Sequence, residues 1–155
     1  MIEMILVIVI GGILTAIALN GAAGVQTRFA TEGAKHVYMT WHQRARSKAI
    51  ETGETVLMWV DVLGDSAAML ERDGSSFTWG EVQHFDRELN VDLRHPTYGS
   101  FYLCMTPRGF ADSTCGYWGA LYGVTGAVTD TVRLQFWLNA DSASVLILPL
   151  GQVIG

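Results

Sequence analysis

Only two of the 155 residues are cysteine and only three are proline. Two cysteines cannot build a disulfide scaffold, and they lack the paired spacing of a zinc site. His36, His42, His84 and His95 are scattered along the chain. No metal and no cofactor is therefore expected. His36 and His42, six residues apart, fall on different faces of any helix and read as surface residues. With so little proline and 17 glycines, the chain reads as turn-rich, which suits short strands better than a helical bundle. Charge is sparse as well: 16% of residues are charged and 50% hydrophobic, and 10 Lys and Arg face 15 Asp and Glu for a net charge of -5. That balance excludes a disordered chain and a general polyanion binder, so a nucleic-acid role needs a local basic patch. Gly-x-Ser-x-Gly, His-Glu-x-x-His and a phosphate-cradling Gly-Lys-Ser or Gly-Lys-Thr are all missing. Asp86 and Glu88 form a carboxylate pair, but on so acidic a chain they read as solvated strand or loop residues, and no enzyme is expected.

What the chain does have is concentrated at its start. Residues 4–19 carry no charge, and Ala22, Ala23 and Val25 extend the apolar run. Roughly 20 such residues span a hydrocarbon layer of about 30 Å as a helix, so residues 1–25 are predicted to form a transmembrane half-helix. A cleaved secretory signal is the rival reading. Signals place basic residues before the apolar run, whereas here Ile2 and Glu3 follow Met1, and Ala16-Ile17-Ala18 is a weak cleavage match. A retained helix is expected. Glu3 is costly at a membrane boundary: it either snorkels into the headgroups or answers a partner.

Ile2-Glu3-Met4-Ile5, the aliphatic run, Gly11-Gly12-Ile13-Leu14 and Ala16-Ile17-Ala18 together resemble the N-terminus of type IV pilins and pseudopilins. In that family a short leader ends in glycine, cleavage exposes an aromatic residue that becomes N-methylated, and Thr-Leu-Ile-Glu opens the helix. This chain has Met1 where the family has leucine, so a leader would belong to a longer precursor, on which prepilin peptidase would act. The resemblance implies an assembly role for Glu3, Ile2, Met4, Gly11 and Gly12 among neighbouring subunits and membrane. Physically, a carboxylate in an otherwise uncharged helix can be neutralised by the N-terminal ammonium of the next subunit, which sets the register between the two.

From Gln26 the composition turns polar, yet Ala34, Val37, Tyr38, Trp41, Ala45 and Ala49 recur at helical spacing. Residues 26–53 are therefore predicted to continue the same helix with one face packed, the whole being on the order of 75 Å long. Tyr38 and Trp41 read as core. Gly53 reads as the stop, with Arg44, Arg46 and Lys48 crowding the end, where cations suit the helix dipole. These three cations are the low-ranked candidates for nucleic-acid contact, against a plain solvated face. The stretch 42–50 also resembles the segment closing the long helix in H-type minor pseudopilins of type II secretion and the related FimT-like minor pilins.

Beyond Gly53 short β-rich runs begin, at 55–62, 67–72, 76–79, 91–93, 99–105, 131–138 and 144–148, with an Asp73-Gly74 hairpin signal. Val132, Leu134, Phe136 and Leu138 alternate with Arg133, Gln135 and Trp137, as in a half-buried antiparallel strand. The fold class expected is thus α+β: a long N-terminal helix packed on a small antiparallel sheet or sandwich head, residues 54–155, of six or seven strands. Thr106-Pro107-Arg108-Gly109-Phe110-Ala111 and Ile147-Leu148-Pro149-Leu150-Gly151-Gln152-Val153 resemble the family's central turn and closing strand. Cys104 and Cys115 flank that turn and would close a short loop worth about 3 kcal/mol if bridged, against the alternative of two free thiols. Tyr117, Trp118 and Tyr122 sit in an aromatic, glycine-rich stretch that either presents a partner surface or folds back on the head.

The function this implies is that of a minor pseudopilin or minor pilin. It would be held in the bacterial inner membrane by one pass, with its head in the periplasm, and assembled with other minor subunits at a tip or priming complex above an inner-membrane platform. The alternative is a FimT-like minor pilin binding DNA in natural transformation. DNA is disfavoured because no Lys or Arg follows Arg133, and Gln152 stands where the family often has arginine. An anchored enzyme or solute-binding domain is the third reading, and no constellation of residues supports it.

Overall fold

All three prolines lie beyond residue 95, so nothing in the first half of the chain interrupts a helical hydrogen-bond ladder. The computed structural model describes residues 2–73, 76–97, 99–112 and 131–155, excluding the side chains of residues 2, 6, 18–23, 72–73 and 76–77. It opens with a single helix, α1 (Ile2–Thr52). Gly53 ends it: at φ +68 it takes the left-handed conformation that glycine adopts without strain, and its N–H donates to the Ala49 carbonyl at 3.1 Å. No cation lies in the last turn; Arg44, Arg46 and Lys48 sit earlier than the dipole argument placed them.

Nine strands follow among the described residues, all paired antiparallel. β1 (Val56–Asp61), β2 (Ser66–Asp73), β3 (Ser76–His84), β5 (Ser100–Met105) and β6 (Ala111–Asp112) form one sheet in the order β3-β2-β1-β5-β6. β4 (Asp92–Arg94), β7 (Val132–Leu138), β8 (Asp141–Ile147) and β9 (Val153–Ile154) form the second, in the order β4-β7-β8-β9. A five-residue helix, α2 (Phe85–Leu89), joins β3 to β4. It carries Asp86 and Glu88 in its first turn, so these two residues are helical and exposed rather than in a strand or loop. The β2–β3 pairing slips between Ala68 and Leu70, and Gly80 fits opposite: a Cβ there would lie 2.9 Å from the Met69 carbonyl oxygen.

The core forms where one face of each sheet meets one face of α1. Ala34, Tyr38, Trp41, Ala45 and Ala49 pack with Val56, Met58 and Val60 of β1, Phe101, Leu103 and Met105 of β5, and Leu134, Phe136, Val145 and Ile147 of β7 and β8. Alanine at three of the five helix positions lets the backbone approach the strands closely. β1 is buried on both faces, because Leu57 and Trp59 join Leu70, Tyr102 and Cys104 in a second cluster on the far side of the first sheet.

The two sheets are stitched at both ends. At one end the Asp65 carbonyl accepts the Phe85 N–H at 2.8 Å and its carboxylate accepts the Leu93 N–H at 2.5 Å, tying the β1–β2 turn to α2 and β4. At the other, the Ala111 N–H of β6 donates to the Leu150 carbonyl of the β8–β9 turn at 3.0 Å. Gly151 makes that second join possible: it sits at φ +74, and a Cβ on it would meet the Ala111 Cβ at 2.5 Å and its nitrogen at 2.9 Å. Gly151→Ala is accordingly expected to lower stability by about 2–3 kcal/mol through backbone strain and displacement of β6. Denaturant unfolding measures it; a change under about 0.5 kcal/mol would show that the turn adapts freely.

Candidate functional site

The chain divides at Thr27. Among the described residues the head first meets the helix there, the Thr27 hydroxyl being shared between the Gly24 carbonyl at 2.9 Å and the Asp141 carboxylate beside the β7–β8 turn. From Thr31, which is buried, to Ala49 the helix is held by the head. Before Thr27 the described side chains are all exposed. Met4, Ile5, Val7, Ile8, Val9, Ile10, Ile13, Leu14, Ile17 and Val25 are 49–73% exposed, and because 7–10 are consecutive they point in every direction around the axis. Among the described residues of this stretch the exposed apolar side chains are therefore not confined to one stripe.

Glu3 lies exposed in the first turn of α1, with exposed Met4 beside it, where a carboxylate suits the helix dipole. The side chain of Ile2 lies outside the described residues. Gly11 and Gly12 have nothing within 4 Å of where a Cβ would sit, so space is not what requires glycine there within one chain. Thr15 donates its hydroxyl to the Gly11 carbonyl at 2.7 Å, which leaves this part of the helix without a free hydroxyl proton. Among the described residues no helix is long and apolar enough to cross a membrane; Leu6 and residues 18–23, which belong to the apolar run of the sequence, are outside that description of side chains.

The three candidate nucleic-acid cations do not form one patch. Arg44 pairs with Glu81 of β3 at 2.7 Å, and Lys48 pairs with Glu71 of β2. Exposed pairs of this kind contribute roughly 0.2–1 kcal/mol each, but they neutralise both cations. Arg46 points elsewhere, its Nε 3.2 Å from where a Cβ on Gly109 would lie, in the turn after β5. Cys104 is buried and disulfide-bonded. Cys115, Tyr117, Trp118 and Tyr122 lie outside the described residues.

His36 is exposed, but His42 is not a surface residue: it is 3% exposed, with its Nε2 buried and without a hydrogen-bond partner. One turn before it Tyr38 is fully buried, its hydroxyl equally without a partner, the two ring centroids 6.4 Å apart. Burial, with the Arg46 guanidinium one turn on adding to it, pulls the His42 imidazole down to about 4, and burial pushes the Tyr38 phenol up. Spacing from His36 could not find this, because the packed stripe is wide enough to take in position 42 as well as 38, 41 and 45. Among the described residues no cluster of His, Cys, Asp or Glu has the arrangement of a metal site.

No protein-family model, no curated protein and no solved structure matches this chain.

Proposed function

We propose that the chain is a noncatalytic, membrane-anchored filament subunit of the minor pseudopilin or minor pilin kind. Its N-terminal helix would be held in the bacterial inner membrane and passed from there into a helical assembly, with the head on the periplasmic side. One observation supports the reading: the head packs on α1 from Thr27 onward, while the described side chains before Thr27 are exposed and mostly apolar. At 1.5 Å per residue the 25 helical residues before Thr27 run about 37 Å, and a hydrocarbon layer is about 30 Å. The same apolar surface suits both lipid and the helices of neighbouring subunits, so one segment can serve first as anchor and then as filament core. Within it Glu3 is the one charge between Met1 and Gln26. In a dry setting it is best neutralised by a cation from the next subunit, which gives assembly its register.

The partners this implies are other pseudopilins or minor pilins, the inner-membrane platform, and prepilin peptidase acting on a longer precursor. DNA binding draws less support, since Arg44 and Lys48 are already engaged by Glu81 and Glu71.

Fractionation of cells expressing the full chain tests the anchor. The expected result is retention in the membrane pellet through alkaline carbonate, with the head digested by protease only from the periplasmic side. Release into the carbonate supernatant overturns it. Glu3→Leu tests assembly separately: the variant is expected to stay in the membrane while its recovery with co-expressed minor subunits falls at least tenfold. Unchanged recovery removes Glu3 from the mechanism.

A further inference from the structure

Three cations of α1 are paired with acids: Lys35 with Glu32, Arg44 with Glu81 and Lys48 with Glu71. The second sheet carries two that are held far more loosely or not at all. Val132, Leu134 and Phe136 of β7 are buried in the core, so Arg133, Gln135 and Trp137 alternate onto the outer face, away from α1.

Strand register lays that face out in rows. Asp92 of β4 and Ser142 of β8 flank Trp137, and Arg94 and Ser144 flank Gln135. In the third row Leu146 and then Ile154 lie beside Arg133. Arg94 and Arg133 are therefore diagonal neighbours, with backbones about 7–8 Å apart. Asp141, at the start of β8, is turned to the opposite side, onto Thr27. Among the described residues Asp92 is the one carboxylate on this face, against two guanidinium groups, on a chain whose net charge is -5.

The donors on this face are open. The Arg94 guanidinium lies over the Trp137 ring, 4.8 Å from its centroid, and stacking fixes its plane. Asp92 is 3.8 Å from it, beyond hydrogen-bond reach, so the Arg94 N–H groups stay available to another acceptor. Trp137 donates its indole N–H to the Gln135 side-chain oxygen at 3.4 Å, which leaves the Gln135 amide N–H groups to donate elsewhere. Ser142, Ser144 and Arg133 are exposed, and Arg133 has no ion pair among the described residues.

We propose that this face binds an acidic polysaccharide, whose carboxylates meet Arg94 and Arg133 and whose hydroxyls meet Gln135, Ser142 and Ser144. Charge complementarity selects an anion, since a carboxylate takes paired N–H donors from a guanidinium held in one plane. The shape of the face selects a polymer: an open sheet surface encloses no small molecule, and affinity must come from weak contacts repeated along a chain. Its composition selects sugar. A protein partner calls for an apolar centre, and here the centre is Gln135 between Arg94 and Ser144, with Ile154 exposed only at a corner. A nucleic acid calls for an open ring on which bases stack, and Trp137 is half-buried with Arg94 over it. Serine hydroxyls and an amide both donate and accept, as sugar hydroxyls do. The site belongs to the head alone and stands apart from whether α1 enters a membrane.

Passing the full chain in a neutral detergent over immobilised polygalacturonate tests it, with neutral dextran as the reference surface. A chain of net charge -5 is repelled overall by such a polymer, so retention reports on the face. The expected result is retention on polygalacturonate and none on dextran, weakened roughly tenfold by Arg94→Gln and Arg133→Gln together. Ser144→Asp sets a carboxylate in the middle row and is expected to do the same while leaving both arginines in place. Arg108→Gln removes one exposed positive charge elsewhere, in the turn after β5, and is expected to change retention less than about twofold. No retention, retention unaffected by the double variant or by Ser144→Asp, or an equal loss with Arg108→Gln overturns the site. Polyglutamate or single-stranded DNA competing better than soluble polygalacturonate assigns the face to another class of partner and overturns the proposal as well.

Discussion

Replacing Phe136 with alanine is expected to destabilise the head by about 4 kcal/mol. The ring is fully buried on β7 and touches two other aromatic side chains, that of Tyr38 on α1 at 5.9 Å between centroids and that of Phe85 at the start of α2 at 5.7 Å. Tilted aromatic contacts of this kind add roughly 0.5–1.5 kcal/mol to what area burial supplies. Leu93 and Ala143 flank Phe136 on the paired strands, and ladder hydrogen bonds hold the neighbouring backbone, so the cavity left by truncation cannot collapse. Phe136→Leu should recover more than half of the loss by refilling most of the volume. Urea unfolding of the full chain in detergent, followed by tryptophan fluorescence, measures both. A loss below about 1 kcal/mol for Phe136→Ala would mean that the three rings do not act as one unit joining α1, α2 and the second sheet. The slope against urea should not change between variants, since the surface exposed on unfolding is nearly the same.

Acid is expected to weaken the same region through His42. In the folded chain burial, then Arg46, holds its imidazole at about 4, below the ordinary 6.5 that it regains on unfolding. Between those two values the unfolded chain binds a proton that the folded chain refuses. Stability is therefore complete above about pH 6.5, falls as the pH drops toward 4, and levels off below. The full difference is about 3 kcal/mol. His95, lowered by a shallower burial, acts in the same direction and less. Asp65 acts in the opposite direction: its carboxyl is raised in the folded chain, so it favours the folded state below the carboxylate range and disfavours it above. His42→Gln keeps a polar side chain at the site and removes the titration. It is expected to flatten the pH profile of stability between 6.5 and 4, whatever it does to stability at neutral pH. A profile as steep as that of the unaltered chain would place the acid response elsewhere.

Much of the helix and core was legible from residues alone. The absence of proline before residue 95, the glycine at 53 and the recurrence of Ala34, Tyr38, Trp41, Ala45 and Ala49 are local features, and the helix ends and packs where they say. Alternation predicted the inward face of β7, with Val132, Leu134 and Phe136 buried. Strand edges were less exact: β8 begins at Asp141, and β6 and β9, two residues each, carry too short a pattern to be read as strands.

Other features depend on what lies across space. Arg44 and Lys48 meet glutamates 37 and 23 residues away, which no spacing within the helix could indicate, and so a cluster that looked basic is largely neutralised. His42 lies at the margin of the packed stripe. Periodicity shows which side of a helix is apolar but not how far around it the neighbouring sheet reaches, and that reach decides whether an imidazole is wet or dry. The junctions through Asp65 and Gly151 likewise join segments far apart in the chain. The sequence by itself determined the helix, its stop and the core stripe, because each follows from neighbours within a few residues. Only the tertiary structure decided which charges are cancelled and which histidine is buried, because burial and pairing belong to the elements that close over a residue.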